Sequence, residues 1–210
     1  LAGLVALVAM GVLALWLGRL VSAVAGVLGV LWVVFALFCV WFFRDPNPLV
    51  PSQAGVVVAP GHGKVDIIDE VTESEFLAGP CRRISIFLSV FDIHVQYAPV
   101  AGQVAYLRYH PGQFLNAMRL DSAAVNENVM IGFESPEVPG RRLAVRLIAG
   151  VIARRIVAWA ASGDTVARGE RVSLIRFGSR VDLYLPPSAR LRVRLGDRVR
   201  GGETVVAELA

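Results

Sequence analysis

At 210 residues the chain has room for about one domain, or one domain plus a membrane segment, and a mean hydropathy of +0.59 with 55% hydrophobic residues favours the second. The net charge of +4 rests on 21 basic residues, of which only Lys64 is lysine, so a pyridoxal-phosphate enzyme would have to anchor its cofactor there. Cys39 and Cys81 have no CxxC spacing, which excludes a disulfide framework and a zinc site of the usual kind, and arginines scattered through predicted strands speak against a nucleic-acid partner.

Residues 1–43 are apolar except for Arg19 and a few small or polar residues. A bilayer core takes about 20 apolar residues as helix. Leu1 to Leu17 and Val21 to Phe43 each reach that length, with Gly18-Arg19 between them as the candidate turn, and the segment is expected to form a helical hairpin. One long tilted span and a re-entrant segment are the alternatives. The run is too long for a signal peptide and lacks an Ala-x-Ala-like site. Trp32, Trp41, Phe42 and Phe43 suit an interfacial belt, and Arg44 after them favours a cytoplasmic exit.

Arg44-Asp45-Pro46-Asn47-Pro48 stops the helix, because proline has no N–H to donate and pushes the preceding residue toward extended backbone. Strands are predicted over 55–59, 63–68, 81–88, 100–109, 128–133, 141–148, 172–175, 181–185 and 205–209, which are rich in β-branched residues and bounded by Gly, Pro or Asp. Residues 150–160 read as strand or short helix, with strand preferred. One repeat stands out. Residues 163–172 match 196–205 as G-D-x-V-x-x-G-E-x-V, a pattern suited to barrel-sandwich folds of the biotinyl and lipoyl type. The attachment lysine of those carriers is absent, so the repeat argues architecture and not carrier function.

Between two predicted strands lies Arg176-Phe177-Gly178-Ser179-Arg180-Val181-Asp182. Gly178 permits strained backbone, and attack of the Ser179 hydroxyl on the Gly178 carbonyl would turn the amide into an ester. β-Elimination would then leave a new chain that begins with a pyruvoyl group. Such a ketone can take up an amine as a Schiff base and serve as an electron sink. An ordinary Gly-Ser turn is the competing reading.

The order of several motifs resolves this. Trp41 to Pro46, Ile86 to Val95, Ala98 to Gly102, Tyr109 to Phe114, Asn126 to Asn128, Ala149 to Val157 and Arg176 to Pro186 together resemble phosphatidylserine decarboxylases of the short bacterial and archaeal type. The resemblance covers most of residues 41–186. It implies a mainly β, barrel-sandwich-hybrid-like catalytic domain over 44–210 behind a membrane anchor over 1–43. It also implies self-cleavage between Gly178 and Ser179 into a β chain (1–178) and an α chain (179–210) capped by a pyruvoyl cofactor. The implied activity is decarboxylation of phosphatidylserine to phosphatidylethanolamine at the inner membrane, with the domain on the cytoplasmic side. A phospholipid, the membrane and the two chains of one precursor are the implied partners, with further copies of the chain left open.

By the same resemblance His94 falls on the histidine that positions substrate and transfers protons, a role its near-neutral titration suits. Asp92, two residues earlier, either shares its strand face and orients or charge-pairs with it, or is a turn residue. Two departures are visible. The longer bacterial enzymes of the family carry an aspartate where His62 stands and a second histidine where Tyr97 stands, so His62 becomes the candidate base for Ser179. Arg176 and Arg180 flank the cleavage pair and Arg44 lies at the membrane boundary; one of the three is a candidate to grip the headgroup, since guanidinium forks match phosphate and carboxylate oxygens, and solvated surface charge is the alternative. His110 is expected in a loop. Two rivals remain: an archaetidylserine decarboxylase, and a non-catalytic membrane-tethered adaptor in which Gly178-Ser179 is only a turn.

Overall fold

A computed structural model describes residues 2–115, 125–136, 142–150, 155–176 and 179–209, which fall into two units, 1–43 and 44–210. The first is a single helix, α1 (Ala2–Phe42), long and apolar enough to cross a membrane. It runs unbroken through Gly18 and Arg19, so the expected hairpin is corrected to one helix. The reason is local: no proline interrupts the run, one interior glycine costs only about 1 kcal/mol, and the Ser22 hydroxyl donates back to the Gly18 carbonyl at 2.9 Å. At 1.5 Å per residue the helix is about 60 Å long, roughly twice the hydrocarbon thickness of a bilayer.

The second unit is built of strands: β1 (Val56–Val58), β2 (Gly63–Glu73), β3 (Gly79–Leu88), β4 (Val95–Tyr97), β5 (Gly102–His110), β6 (Asn128–Glu134) and β7 (Arg142–Ala149). They continue with β8 (Ile156–Ala158), β9 (Thr165–Val166), β10 (Arg171–Ile175), β11 (Ser179–Leu185), β12 (Arg190–Leu191), β13 (Arg198–Val199) and β14 (Val205–Glu208). Every predicted strand is present, and the mainly β expectation holds. Of residues 150–160, the part at 156–158 is strand, while 151–154 lie outside the described residues.

Eight strands form one curled antiparallel sheet in the order β13-β2-β3-β11-β7-β6-β5-β9. Alternation along each strand sends Ile84, Ile86 and Leu88 of β3, Val181, Leu183 and Leu185 of β11, and Val145, Leu147 and Ala149 of β7 to one face, where they form the core. The other face carries Arg180, Asp182 and Tyr184. There the buried Asp182 carboxylate accepts from the Ser85 hydroxyl at 2.5 Å, and burial pushes its pKa up against the pull of that bond and of Arg83.

The sheet order reads alike from either edge toward the central β11-β7 pair, which gives the unit a pseudo-twofold axis. β9 and β13, supplied by the two copies of the glycine-aspartate repeat, close the two edges. A second repeat accompanies the first: Ala59 to Val65 and Ala98 to Val104 share A-P-x-x-G-x-V. Its backbone bonds come in matched pairs. Val65 and Val104 donate to the Asp197 and Asp164 carbonyls at 2.9 and 2.8 Å, and Gly196 and Gly163 return the bond at 2.8 Å each. Crosswise, Val58 donates to Pro99 and Tyr97 to Pro60, both at 2.9 Å.

Candidate active site

Ser179 opens β11, the centre of the sheet, opposite Leu88 of β3 and Ala149 of β7. Sitting in register with Val181, it faces the core side, and it is wholly buried. Its hydroxyl oxygen has no hydrogen-bond partner among the described residues. An unsatisfied buried hydroxyl costs about 1–3 kcal/mol, so a folded chain keeps one for a reason. Gly178 and Phe177 lie outside the described residues.

The turn Pro60-Gly61-His62 leads into β2 beside this point. A Cβ on Gly61 would meet Val181 at 3.6 Å and Leu88 at 3.8 Å, the two neighbours of Ser179, so the turn lies against the start of β11. His62 follows at once. Its ring meets the buried Tyr97 ring edge-on at 5.7 Å between centroids, and its Nε2 is buried with no partner among the described residues. Burial pushes the His62 pKa down, with Arg44 and Arg200 acting the same way and Glu203 and Asp92 opposing. His62 is therefore a neutral base at physiological pH.

His94 stands just before β4 and is 1% exposed. Its Nδ1 lies 2.9 Å from the Asp92 carbonyl. A carbonyl only accepts, so Nδ1 carries the proton and the lone pair of the neutral ring is on Nε2. Burial pushes the pKa down to about 4, against the hydrogen bond and charge of Asp92. This replaces the near-neutral titration expected from sequence. The His94 carbonyl accepts from Ile175 at 3.1 Å, tying the histidine to the strand that leads to the Ser179 segment.

Asp92 orients His94 by its backbone, not from a shared strand face. It lies in a turn, and its carboxylate accepts from the Ser89 amide (2.9 Å) and hydroxyl (2.7 Å) and faces Arg198 at 3.4 Å. That turn directly follows Leu88, the partner of Ser179. Arg180 is not available to a headgroup. Its side chain is 2% exposed and forks onto Asp66 at 2.6 and 3.1 Å, on the sheet face opposite Ser179. Arg176 is exposed, its amide 3.4 Å from the Arg155 carbonyl. His110 ends β5 instead of lying in a loop, and its Nε2 is 2.8 Å from Glu75.

Sequence reasoning missed Tyr97 as the residue packed on His62, and it missed Arg198 and Arg200. Both arginines line a cavity of about 410 Å³ with Arg44, His62 and Asp92. The signal was present in the repeat: where one copy has Thr165 and Ala167, the other has Arg198 and Arg200.

A Ser179 hydroxyl without a partner among the described residues, two neutral imidazoles and a cavity lined by arginines are groups that can support acyl shift at a serine and proton movement on an anionic substrate. The unoccupied bonding capacity at Ser179 also fits a group made from that residue. Comparison with known proteins agrees with this chemistry. The family model described as phosphatidylserine decarboxylase matches residues 35–207. A phosphatidylserine decarboxylase proenzyme of Symbiobacterium thermophilum is 45% identical over 204 residues, covering 97% of this chain and 91% of that protein. Proteins of the same name from Desulfotalea psychrophila (44% identical; 82% and 79% covered) and Rhodococcus jostii (46%; 81% and 73%) are also similar.

Proposed function

The chain belongs to the phosphatidylserine decarboxylase family, and from that premise we propose that it converts phosphatidylserine to phosphatidylethanolamine and carbon dioxide with a pyruvoyl group made from its own Ser179. The observation that carries this reading is the Ser179 hydroxyl, wholly buried at the start of the central strand and without a partner among the described residues. The relatives are named proenzymes, in keeping with a chain that matures by a cut.

His62 takes the proton of the Ser179 hydroxyl as that oxygen adds to the Gly178 carbonyl. The supporting features are its neutral ring, its Nε2 without a partner among the described residues, and the packing of Gly61, the residue before it, against Val181 and Leu88. Loss of the Ser179 α proton from the resulting ester expels the Gly178 carboxylate and leaves a dehydroalanine amine, which takes up water and releases ammonia to give the pyruvoyl ketone. The cut separates residues 1–178 from 179–210, which stay paired through β11. Once formed, the pyruvoyl ketone supplies an electron sink for the headgroup as its carboxylate leaves. His94, fixed through Nδ1, holds and returns a proton at Nε2. Asp92 sets the orientation of His94 through its carbonyl.

Helix α1 tethers the domain to the inner membrane, on the cytoplasmic face given Arg44 at the end of the apolar run. The tether spares lifting acyl chains into water, at about 0.8 kcal/mol per CH₂.

The test is a gel and a mass spectrum of the full chain purified in detergent, with carbon dioxide release measured on phosphatidylserine micelles. Wild type should give two chains, the smaller starting at position 179 and blocked at its amino end. Ser179→Ala should give one intact chain and no activity. Intact wild-type chain that still releases carbon dioxide would overturn the cofactor, and intact chain with no release would favour the adaptor.

A further inference from the structure

We propose that Arg198 and Arg200, on the edge strand β13 and just beyond it, bind the phosphodiester of the lipid headgroup at the mouth of the His62 cavity. This rests on the decarboxylase reading and adds to it the residues that select the substrate. The cavity, about 410 Å³, is lined by Arg44, His62, Asp92, Arg198 and Arg200. Gly61, the residue before His62, packs against Val181 and Leu88 near the start of β11.

The two guanidiniums are lightly engaged. Arg198 is 75% exposed and 3.4 Å from Asp92, and Arg200 is 77% exposed and 3.6 Å from Glu203. Pairs so exposed and so long contribute little, so exchanging them for a phosphate costs little. Arg44 is held by the Phe91 carbonyl at 2.8 Å. With Asp92 and Glu203 subtracted from the three arginines, the site carries one net positive charge. A serine phosphodiester carries one net negative charge, and the ethanolamine product carries none. The site therefore favours substrate over product.

The fold does not require these charges. The opposite edge is closed by β9 with the same backbone bonds, and there Thr165, Ala167 and Ala101 occupy the positions of Arg198, Arg200 and His62. A scaffold that closes equally well with threonine and alanine leaves recognition as the reason for two arginines.

The decisive measurement is calorimetric titration of glycerophosphoserine, the headgroup without acyl chains, into the uncleaved Ser179→Ala chain in detergent. Inorganic phosphate and glycerophosphoethanolamine are run as separate titrants. Adding Arg198→Ala and Arg200→Ala should weaken glycerophosphoserine binding by about tenfold or more, as expected for loss of two charge-assisted contacts. Arg192→Ala with Arg194→Ala removes the same charge outside the cavity and should leave binding unchanged. Glycerophosphoserine should bind more tightly than glycerophosphoethanolamine, and inorganic phosphate, itself an anion, should lose affinity in the same Arg198/Arg200 variant. Equal affinity in the Arg198/Arg200 variant, an equal loss in the Arg192/Arg194 variant, or no preference over glycerophosphoethanolamine would each overturn the proposal. Because the readout needs neither cleavage nor turnover, an inactive wild type would fail the decarboxylase reading without deciding this one.

Discussion

The two edges of the sheet are built to one plan and furnished differently. At one, β13 closes against β2 beside His62, Arg198 and Arg200; at the other, β9 closes against β5 beside Ala101, Thr165 and Ala167. The residues common to both, Gly63 and Gly102, Val65 and Val104, Val199 and Val166, are those that make backbone bonds or fill the core. Both edges face a cavity, and what differs is charge: His62, Arg198 and Arg200 line one, Ala101 and Thr165 the other. The comparison separates residues kept for folding from residues kept for chemistry within a single chain, with the bland edge as the internal control.

The largest break in the symmetry is one of titration. His62, half-buried, and His94, buried, both have pKa values pushed down, His94 to about 4, while Ala101 stands at the position of His62 on the other edge. A group whose folded pKa lies below its unfolded value of about 6.5 binds more protons unfolded, so stability is present above pH 6.5 and is lost as pH falls toward 4. For His94 the shift corresponds to about 3 kcal/mol. Denaturant unfolding of the full chain in detergent should show His94→Asn, which keeps a donor toward Asp92, less destabilised than wild type between pH 6.5 and 4. Parallel curves for the two proteins would mean that His94 does not titrate as its burial implies.

Next in size are the paired glycines. A Cβ on Gly63 would collide with the Phe87 carbonyl oxygen and one on Gly102 with the Glu134 carbonyl oxygen, the same contact at each edge. Gly63→Ala and Gly102→Ala should each cost about 1–3 kcal/mol, the range for overpacking. Only Gly63→Ala adjoins the His62 turn, so on the proposed role of His62 it alone should also slow the appearance of two cleaved chains, followed by gel over hours. Equal slowing in both would show that processing senses global stability and not the His62 edge.

Much of this was legible in the sequence. Strands announced themselves by β-branched runs between turn residues, and the repeat at 163–172 and 196–205 marked both edges. Family motifs singled out Ser179 and His94, and a departure from them singled out His62; Ser179 lies on the core side. The rest failed for physical reasons. Short edge strands such as β9 and β13 have no periodicity of their own and exist only because β5 and β2 offer them a partner. Arg180 looked available because adjacency in sequence does not reveal which sheet face a residue takes, nor that Asp66, 114 positions away, would claim it. The hairpin failed because helix hydrogen bonding tolerates a single Gly-Arg pair that contains no proline.

The smallest effect tests whether the two edges are equivalent as scaffold. Asp164 Oδ2 accepts from the Ala161 amide and Asp197 Oδ2 from the Arg194 amide, both at 2.8 Å and both exposed, holding the turn before each edge strand. Gly163 and Gly196, directly before the two aspartates, have φ of +99° and +94°, the same left-handed backbone in both turns. Removing either carboxylate deletes one local bond to a backbone donor that water can then reach, which should cost about 1 kcal/mol. Asp164→Ala and Asp197→Ala should therefore agree within about 0.5 kcal/mol in thermal or denaturant unfolding, with asparagine at either site restoring most of the loss. A markedly larger loss for Asp197 would mean that its turn also braces Arg198 and Arg200. The charged edge would then be a distinct structure in its own right, and the bland edge could no longer serve as its control.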